Sequence, residues 1–303
     1  VEKARESMGA KLTPVLELQL FGAPQLRLGG EMINDKISGR PLALLSYLAV
    51  TGRPHTRDML ADLLWAELTS QQARNNLRYL LPDLRRVIGD YLLINAQTIA
   101  FNRQAPHWLD VDALRTTQSA TPPMSTQAWQ QALDLYQGEF LAGFRVRNAP
   151  NFEAWVTAQQ EELHQVAMQG FQQLAQRYLA EGDSRAGINT VKRLLAGDPW
   201  HEAGQRLFMQ LLVASGQRAA ALEQYQQFRN LLQNEVGVEP AAATKALYEQ
   251  IRCNEVAPVV QAPPLTRKPP AATSKPAESN AERPHQPAIL PKHPGATASE
   301  QPP

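Results

Sequence analysis

The chain of 303 residues lacks the features that define several protein classes. It contains one cysteine, Cys253, and no apolar run close to the length of a membrane span. A single cysteine excludes an internal disulfide and suits a reducing cytoplasm. The first residues, Val1 to Pro14, lack the apolar core of a signal peptide. The sequence therefore predicts a cytoplasmic protein that does not enter a membrane.

The signatures of common enzyme classes are also missing. No glycine-rich loop followed by Lys and Ser or Thr is present to hold a nucleotide phosphate. The six histidines are scattered, and His201 has no second histidine four residues later, as a zinc-protease helix requires. The pair Glu161-Glu162 near His164 has the pattern of a solvated helix face. We therefore expect a protein that is not an enzyme and that uses no cofactor or metal ion.

The stretch from Thr56 to Phe101 has the pattern of a DNA-reading helix followed by a β-hairpin. A short amphipathic helix begins at Thr56, a suitable N-cap, and a second helix spans Gln71 to Ile88. The core face of the second helix is predicted from apolar residues at three- and four-residue spacing, which are Ala73, Leu77, Leu80, Leu84 and Val87. Two short apolar runs, 91–94 and 98–101, then predict a hairpin.

Long polar side chains occupy another face of the second helix. A helix fits the major groove of DNA, and Arg, Asn and Gln can make two hydrogen bonds to one base edge. Such a face is by itself more often a solvated surface, but the neighbouring helix and hairpin favour DNA binding. The DNA-binding residues predicted from this face are Gln71, Arg74, Asn75, Arg78, Arg85 and Arg86. Arg103 beside the hairpin and Gln97 at its tip are predicted to contact the backbone or the minor groove.

Pro82 lies inside the predicted recognition helix, where it removes one backbone hydrogen bond and is expected to kink or break the helix. The base-reading part is then predicted to be Gln71 to Leu81, and Arg85 and Arg86 are expected to contact phosphate. The net charge of +1 does not favour non-specific binding to nucleic acid. The positive charge is local, because four arginines and one aspartate occupy residues 74–86.

The preceding segment has the pattern of a small antiparallel sheet followed by a helix. Residues 16–21 and 25–28 alternate apolar and polar positions around Gly22-Ala23-Pro24, which is typical of a hairpin. Residues 31–37 supply one more possible strand. Pro41 to Val50 is a mostly apolar run that predicts a helix closed by Gly52. Residues 15–115 are therefore expected to contain a sheet, three helices and a hairpin.

The second half of the chain contains an internal repeat. Residues 116–126 have loop composition and are predicted to be a linker, and residues 127–256 have a helical pattern. An offset of 34 residues, the tetratricopeptide period, pairs similar residues, such as Gly182 with Gly216 and Gly187 with Ala221. An ordinary helical bundle with coincidental spacing is the alternative interpretation.

The two ends of the chain differ from the rest in composition. The segment from Pro258 to Pro303 contains 12 of the 23 prolines and almost no periodic apolar content. Such a segment cannot bury enough apolar surface to become ordered. We therefore expect residues 257–303 to be a disordered Pro-rich tail or linker, and residues 1–14 to be a flexible N-terminus.

Residues 15–115 resemble the winged-helix effector domain of response regulators, in the version found in Streptomyces-type antibiotic regulatory proteins. The most specific segments are 73–78 (Ala-Arg-Asn-Asn-Leu-Arg) and 84–86 (Leu-Arg-Arg), with 40–48, 56–65 and 110–112 in support. Residues 127–256 resemble the bacterial transcriptional activator domain of the same family. The segments that carry this second resemblance are 135–144, 152–155, 235–240 and 246–248.

The resemblance implies a mainly α fold with a small β component: a winged helix with an N-terminal antiparallel sheet, followed by a tetratricopeptide-like helical repeat domain. It also implies a sequence-specific transcription activator in the bacterial cytoplasm. Such a protein is expected to bind double-stranded DNA at direct-repeat promoter sites, to form a homodimer on DNA and to contact RNA polymerase. Two alternatives remain: an interaction scaffold with a degenerate winged helix, or the regulatory front end of a larger signalling ATPase.

Overall fold

Two small sheets frame the first helices of the chain in the computed structural model, which describes residues 14–119 and 124–254. In the first sheet, β1 (Leu16–Gln19) pairs antiparallel with β2 (Gln25–Leu28), which pairs with β3 (Glu31–Met32). The predicted hairpin is therefore confirmed, but the third strand is shorter than residues 31–37. A fourth strand, β7 (His107–Leu109), lies parallel to β1 and was not expected from the sequence.

The first helix, α1 (Arg40–Thr51), agrees with the expectation from the apolar run. Pro41 lies in its first turn, where its missing N–H has no partner to lose. Gly52 ends the helix in the left-handed conformation with a φ of 63°, which favours glycine. The nine residues from Leu42 to Val50 are buried, so that α1 is the central helix of the N-terminal half.

The second helix, α2 (Arg57–Trp65), begins where the sequence predicts. The Thr56 side chain accepts a hydrogen bond of 3.3 Å from the Met59 N–H. The third helix, α3 (Ser70–Ile88), starts with a capping box in which Thr69 and Gln72 bond reciprocally. Its buried residues are Ala73, Leu77, Leu81, Leu84 and Ile88. Leu80 and Val87, which were predicted as core, lie half-buried at the margin of this face.

Pro82 does not end α3, so the expectation of a break there is wrong. The helix continues to Ile88, and the Pro82 ring lies on the exposed face. The missing N–H of Pro82 would have bonded to the carbonyl of Arg78, another exposed residue. Because water can hydrate this carbonyl, the lost bond costs less than it would in the core.

A three-stranded sheet follows α3. β5 (Leu92–Ile94) and β6 (Thr98–Phe101) form the predicted antiparallel hairpin. β4 (His55–Thr56), at the start of α2, adds to the free edge of β6. This two-residue strand was not predicted, and it joins the hairpin to the beginning of α2.

The helical half contains α4 (Asp110–Ser119), α5 (Thr126–Asp134), α6 (Pro150–Glu181), α7 (Ser184–Gly197), α8 (Glu202–Ala214), α9 (Arg218–Glu235) and α10 (Ala242–Arg252). Thr116 to Ser119, assigned to a linker from composition, instead form the last turn of α4. Thr117 is buried there, and its hydroxyl donates to the Leu114 carbonyl at 2.7 Å. The N-terminal residues 1–13, residues 120–123 and the predicted tail lie outside the described residues.

The expected 34-residue repeat appears as two helix pairs. Helices α7 and α9 start 34 residues apart, at Ser184 and Arg218. Gly182 and Gly216 precede them with φ values of 79° and 80°. Gly187 lies where helices approach closely, since a Cβ there would be 2.5 Å from Leu211 Cδ2. The equivalent Ala221 is fully buried, as the stacking of small residues in this repeat requires.

The N-terminal and helical halves share one hydrophobic core. Phe21, after β1, forms an antiparallel bridge with Phe140 in the loop between α5 and α6. The Gly22 N–H donates to the Glu139 carbonyl at 2.9 Å, and the Leu141 N–H donates to the Leu20 carbonyl at 2.7 Å. The buried cluster continues from β1 and α1 into α6. Within the described residues, no helix is both long and apolar enough to cross a membrane.

Asp110 stabilises the junction between β7 and α4 from inside the protein. One carboxylate oxygen accepts backbone N–H groups of Leu20 at 2.6 Å and Phe21 at 2.9 Å. The other oxygen accepts the Val111 N–H at 2.8 Å. Burial raises the pKa of Asp110 to about 6, although these hydrogen bonds favour the charged form and oppose the rise.

Candidate nucleic-acid interface

An open groove of about 640 Å³ lies between the exposed face of α3, the start of α2 and the turn of the β5–β6 hairpin. Its lining comes from all three elements and consists of Thr56, Arg57, Asp58, Arg74, Asn75, Leu77, Arg78, Ala96, Gln97 and Thr98. Three arginines and one aspartate are the charged groups in this set. The groove therefore combines a local excess of positive charge with the helix that the sequence assigns to DNA reading.

Short hydrogen bonds fix the hairpin turn beside α2. Asn95 Oδ1 accepts the N–H groups of Gln97 at 2.8 Å and Thr98 at 2.6 Å, which shapes the turn. Arg57 Nη2 donates to the Asn95 carbonyl at 2.9 Å, and the Arg57 N–H donates to the Gln97 carbonyl at 3.1 Å. Because Arg57 is the first residue of α2, these bonds hold the β5–β6 hairpin, here called the wing, in a fixed position relative to α2.

Arg74 is paired within the groove. Its Nε and Nη2 donate to the two carboxylate oxygens of Asp58 at 2.6 and 2.9 Å. Both side chains are at least half exposed, so the pair contributes little to stability. A two-point contact does, however, fix the plane of the guanidinium. The other edge of the Arg74 guanidinium has no hydrogen-bond partner within the described residues.

Arg78, Asn75 and Gln71 complete the exposed face of the first turns of α3. Arg78 is exposed and makes no hydrogen bond or ion pair within the described part of the chain. Asn75 Oδ1 accepts one hydrogen bond of 3.4 Å from Gln71 Nε2. Gln71 is exposed but does not line the groove. The structure thus brings Arg74, Asn75 and Arg78 together and places Gln71 one turn away.

The two later arginines of α3 lie outside this groove. Arg85 is exposed, and Arg86 forms an exposed ion pair of 3.3 Å with Asp83. Both remain on the same unbroken helix as Arg78, because Pro82 does not interrupt α3. Because Arg85 and Arg86 lie outside the groove, contact with phosphate remains the prediction for both.

Arg103 is committed to contacts inside the N-terminal half. Its guanidinium forms an ion pair with Asp112 and donates to the Ala49 carbonyl at the end of α1. It also packs over Gly52, where a Cβ would lie 3.0 Å from Arg103 Nε. Arg103 is therefore held by contacts within the N-terminal half and does not line the groove.

Comparison with known proteins identifies the architecture. The family model of the bacterial transcriptional activator domain matches residues 109–252. Regulatory protein AfsR of Streptomyces coelicolor is 27% identical over 278 residues, which are 89% of this chain and 26% of that protein. Regulatory protein DnrI of Streptomyces peucetius is 29% identical over 181 residues, 55% of this chain and 59% of that protein. The chain thus spans about a quarter of AfsR and about three fifths of DnrI.

A solved structure shows the same fold. Mycobacterium tuberculosis EmbR in complex with a low affinity phosphopeptide superposes with a TM-score of 0.60 at 19% sequence identity. The similarity covers 79% of this chain and 65% of that one. The chain is thus similar to regulatory proteins of Streptomyces, and its residues 109–252 match the bacterial transcriptional activator domain. The mainly α fold expected from the sequence is confirmed, and the comparisons support the expected resemblance to Streptomyces-type antibiotic regulatory proteins.

Two residues of the groove, Arg57 and Asp58, were missed by reasoning from the sequence. The N-cap at Thr56 indicates that both lie in the first, exposed turn of α2. Their partners are 38 and 16 residues away, at Asn95 and Arg74. No periodic pattern along the sequence reports such pairs, since they depend on how α2, α3 and the hairpin pack together.

Proposed function

We propose that this protein is a non-catalytic transcription regulator, an activator, that binds promoter DNA in a sequence-specific manner through α3 and the adjacent hairpin. The observation that carries the proposal is the groove in which Arg74, Asn75 and Arg78 face the start of α2 and the wing turn. Similarity to proteins named as regulatory proteins supports it.

The exposed face of α3 has the chemistry for reading base edges. The major groove is about 12 Å wide and admits one α-helix. Arg78 has no partner among the described residues, and its guanidinium can donate two hydrogen bonds to guanine, while the Asn75 amide can pair with adenine. The continuous helix extends this face by two turns, so that Arg85 and Arg86 are available for the phosphate backbone.

Asp58 orients Arg74 for the same task. The carboxylate occupies Nε and one N–H of Nη2, which leaves the Nη1–Nη2 edge of the guanidinium directed away from the pair. That edge carries the two parallel donors that match guanine. A side chain held in place loses less conformational entropy on binding than a free arginine. Arg57 and Gln97 then contribute contacts from the wing side, to phosphate or to the minor groove.

The helical-repeat half is proposed to hold two copies together on direct-repeat promoter sites or to contact RNA polymerase, as the family implies. Support for this part comes from the family alone. Sedimentation of the chain with duplexes carrying one or two copies of a selected site tests it. Cooperative binding of two chains to two sites is expected, and strictly independent binding would contradict dimerisation on DNA.

The experiment that tests DNA reading is selection of binding sites from a random duplex pool with the full chain, followed by titration of the best site against salt. An enriched sequence is expected, with affinity lost when Arg74→Ala and Arg78→Ala are combined. The matched control combines Lys36→Ala and Arg147→Ala, two exposed cations outside the groove, and should bind as the wild type does. The two double variants carry the same net charge, so a difference in their DNA affinity depends on where the removed cations lie and not on total charge.

Two outcomes would contradict the proposal. A steep salt dependence with no enriched sequence would mean that the protein contacts only the phosphate backbone. Absence of binding at low salt would favour an interaction scaffold with a degenerate winged helix. Pro82 no longer supports that second interpretation, because α3 is intact.

A further inference from the structure

A second groove, of about 270 Å³, lies in the helical-repeat half between α7 and α8. Ile188 of α7 and Phe208 and Leu212 of α8 form its apolar floor, and Ser215 and Gln217 also line it. Phe208 and Leu212 remain slightly accessible, at 9% and 6% of their surface. This volume matches one or two apolar side chains of a bound segment rather than a whole small-molecule ligand.

Two cations and an amide border this apolar floor. Arg185, Asn189 and Lys192 lie at four- and three-residue intervals on one face of α7, and all three are exposed. Within the described residues none of their side chains makes a hydrogen bond or an ion pair, whereas Arg177 and Arg193 nearby are paired with Glu181 and Asp134. Asp183 caps the same helix by accepting the Ala186 N–H at 3.0 Å and does not line the groove.

We propose that the α7–α8 groove binds an acidic peptide segment of a partner protein. Apolar side chains of the segment would pack on Ile188, Phe208 and Leu212, and its carboxylates would bind Arg185 and Lys192. An apolar centre bordered by unpaired charge of one sign is the arrangement that selects a partner of opposite charge. Asn189, between the two cations, supplies a donor and an acceptor for the peptide backbone.

The two cations and the apolar floor of the groove favour an acidic peptide over two other ligands, which are the chain's own residues 255–303 and nucleic acid. The chain's own residues 255–303 contain five Lys or Arg and four Glu residues, so they offer no net negative charge to the groove. Nucleic acid would match the two cations, but its phosphate backbone offers nothing for the buried phenyl and leucyl groups of the floor. Only an acidic segment that also carries large apolar residues satisfies both parts of the groove.

The test is fluorescence anisotropy of the full chain with a labelled peptide of sequence Glu-Asp-Leu-Glu-Glu-Phe-Asp-Leu-Glu-Asp. Saturable binding is expected, and Arg185→Glu combined with Lys192→Glu should weaken it by about tenfold or more. The control, Lys36→Glu combined with Arg147→Glu, makes the same change in net charge at exposed sites elsewhere and should leave the affinity unchanged. Amidated (Gln and Asn) and Leu/Phe-to-Ala versions of the peptide should each bind about tenfold more weakly.

Four results would overturn the proposal. The first is no saturable binding of the acidic peptide, and the second is equal weakening by the α7 variant and the control variant. The third is competition for the groove by a synthetic peptide of residues 255–303, which would assign the groove to the chain itself. The fourth is loss of duplex DNA affinity in the α7 variant with peptide affinity retained, which would assign it to nucleic acid. Circular dichroism of each variant confirms that the fold is intact.

Discussion

Neighbouring arginines on one helix face differ in how free they are to act. Arg74 is held by both oxygens of Asp58, while Arg78, one turn later, has no partner within the described residues. A free guanidinium adapts to whatever it meets, and a held one accepts only a correctly placed acceptor. Arg78 is therefore expected to supply affinity together with base contact, and Arg74 to supply discrimination.

We predict that Arg78→Ala weakens binding to the selected site by about 1–3 kcal/mol and relaxes the preference for one base pair, because a bidentate base contact is lost. Quantitative titration with every single-base variant of the site measures both effects. An equal loss on all sequences would reassign Arg78 to phosphate contact.

We predict that Asp58→Asn lowers the ratio of specific to non-specific DNA affinity about threefold to tenfold, because Arg74 loses its orienting partner and the groove loses a negative charge that disfavours indiscriminate phosphate binding. Asp35→Asn is the matched control, since it removes the same charge from an exposed position outside the groove and away from α3. A specificity ratio that Asp58→Asn leaves at the wild-type value would show that Arg74 needs no orientation.

Asp110 makes the free energy of unfolding depend on pH. The dependence falls between the pKa of the Asp110 carboxyl in the unfolded chain and its pKa in the folded protein. Burial raises the folded pKa to about 6 from 3.8, so the folded state holds a proton that the unfolded state has released. The stabilising contribution is complete below the unfolded pKa and is lost as pH rises through about 6.

Between about pH 5 and 7.5, the wild type should therefore lose about 1.4 kcal/mol of unfolding free energy relative to Asp110→Asn, which does not titrate. Denaturant unfolding of both proteins at several pH values measures this difference. A constant difference over that range would mean that the three backbone hydrogen bonds keep the carboxylate charged at pH 5.

At the scale of elements, α3 shows how a helix tolerates a residue that normally ends it. Pro82 lies on the solvent side, and five buried residues on the opposite side, from Ala73 to Ile88, hold both halves of the helix against the core. Tertiary packing therefore outweighs the local backbone preference, as it does for most helices in globular proteins.

We predict that Pro82→Ala stabilises the protein by about 1–3 kcal/mol, because the exposed helix recovers its N–H to the Arg78 carbonyl and loses the ring clash, partly offset by a more flexible unfolded chain. Chemical denaturation gives the difference. A loss of stability would indicate that the present path of α3 depends on the proline ring.

The elements that the sequence predicts well are those whose pattern is local. The periodicity of α3, the N-cap of α2 and the 34-residue offset between α7 and α9 each lie within a continuous segment. The strands β4 and β7 have two and three residues and exist only through pairing with β6 and β1. The contacts of Arg103 with Asp112 and Ala49 depend on tertiary structure in the same way, and no local pattern in the sequence predicts them.

At the scale of the whole described unit, one core joins the N-terminal half to the helical half. Phe140 is 1% exposed, pairs with Phe21 and contacts Trp155 edge-on at a centroid distance of 5.6 Å. We predict that Phe140→Ala lowers the unfolding free energy by about 3–5 kcal/mol. We also expect unfolding to remain a single transition, with far-UV circular dichroism and tryptophan fluorescence changing together. Separate transitions would show that the two halves fold independently.

The joined core also limits how this chain can be recombined with its relatives by exchanging parts. Main-chain bonds from Leu20 and Gly22 to Leu141 and Glu139 cross between the halves. Side chains bridge them too, from Arg40 to the Arg147 carbonyl at 2.8 Å and from Asn151 to Asp62 at 2.9 Å. A hybrid that received its first hundred residues from a relative would carry mismatched surfaces on both sides of this seam. New operator preferences are therefore more readily obtained by recombining the few side chains of the α3 groove than by transplanting the whole front half.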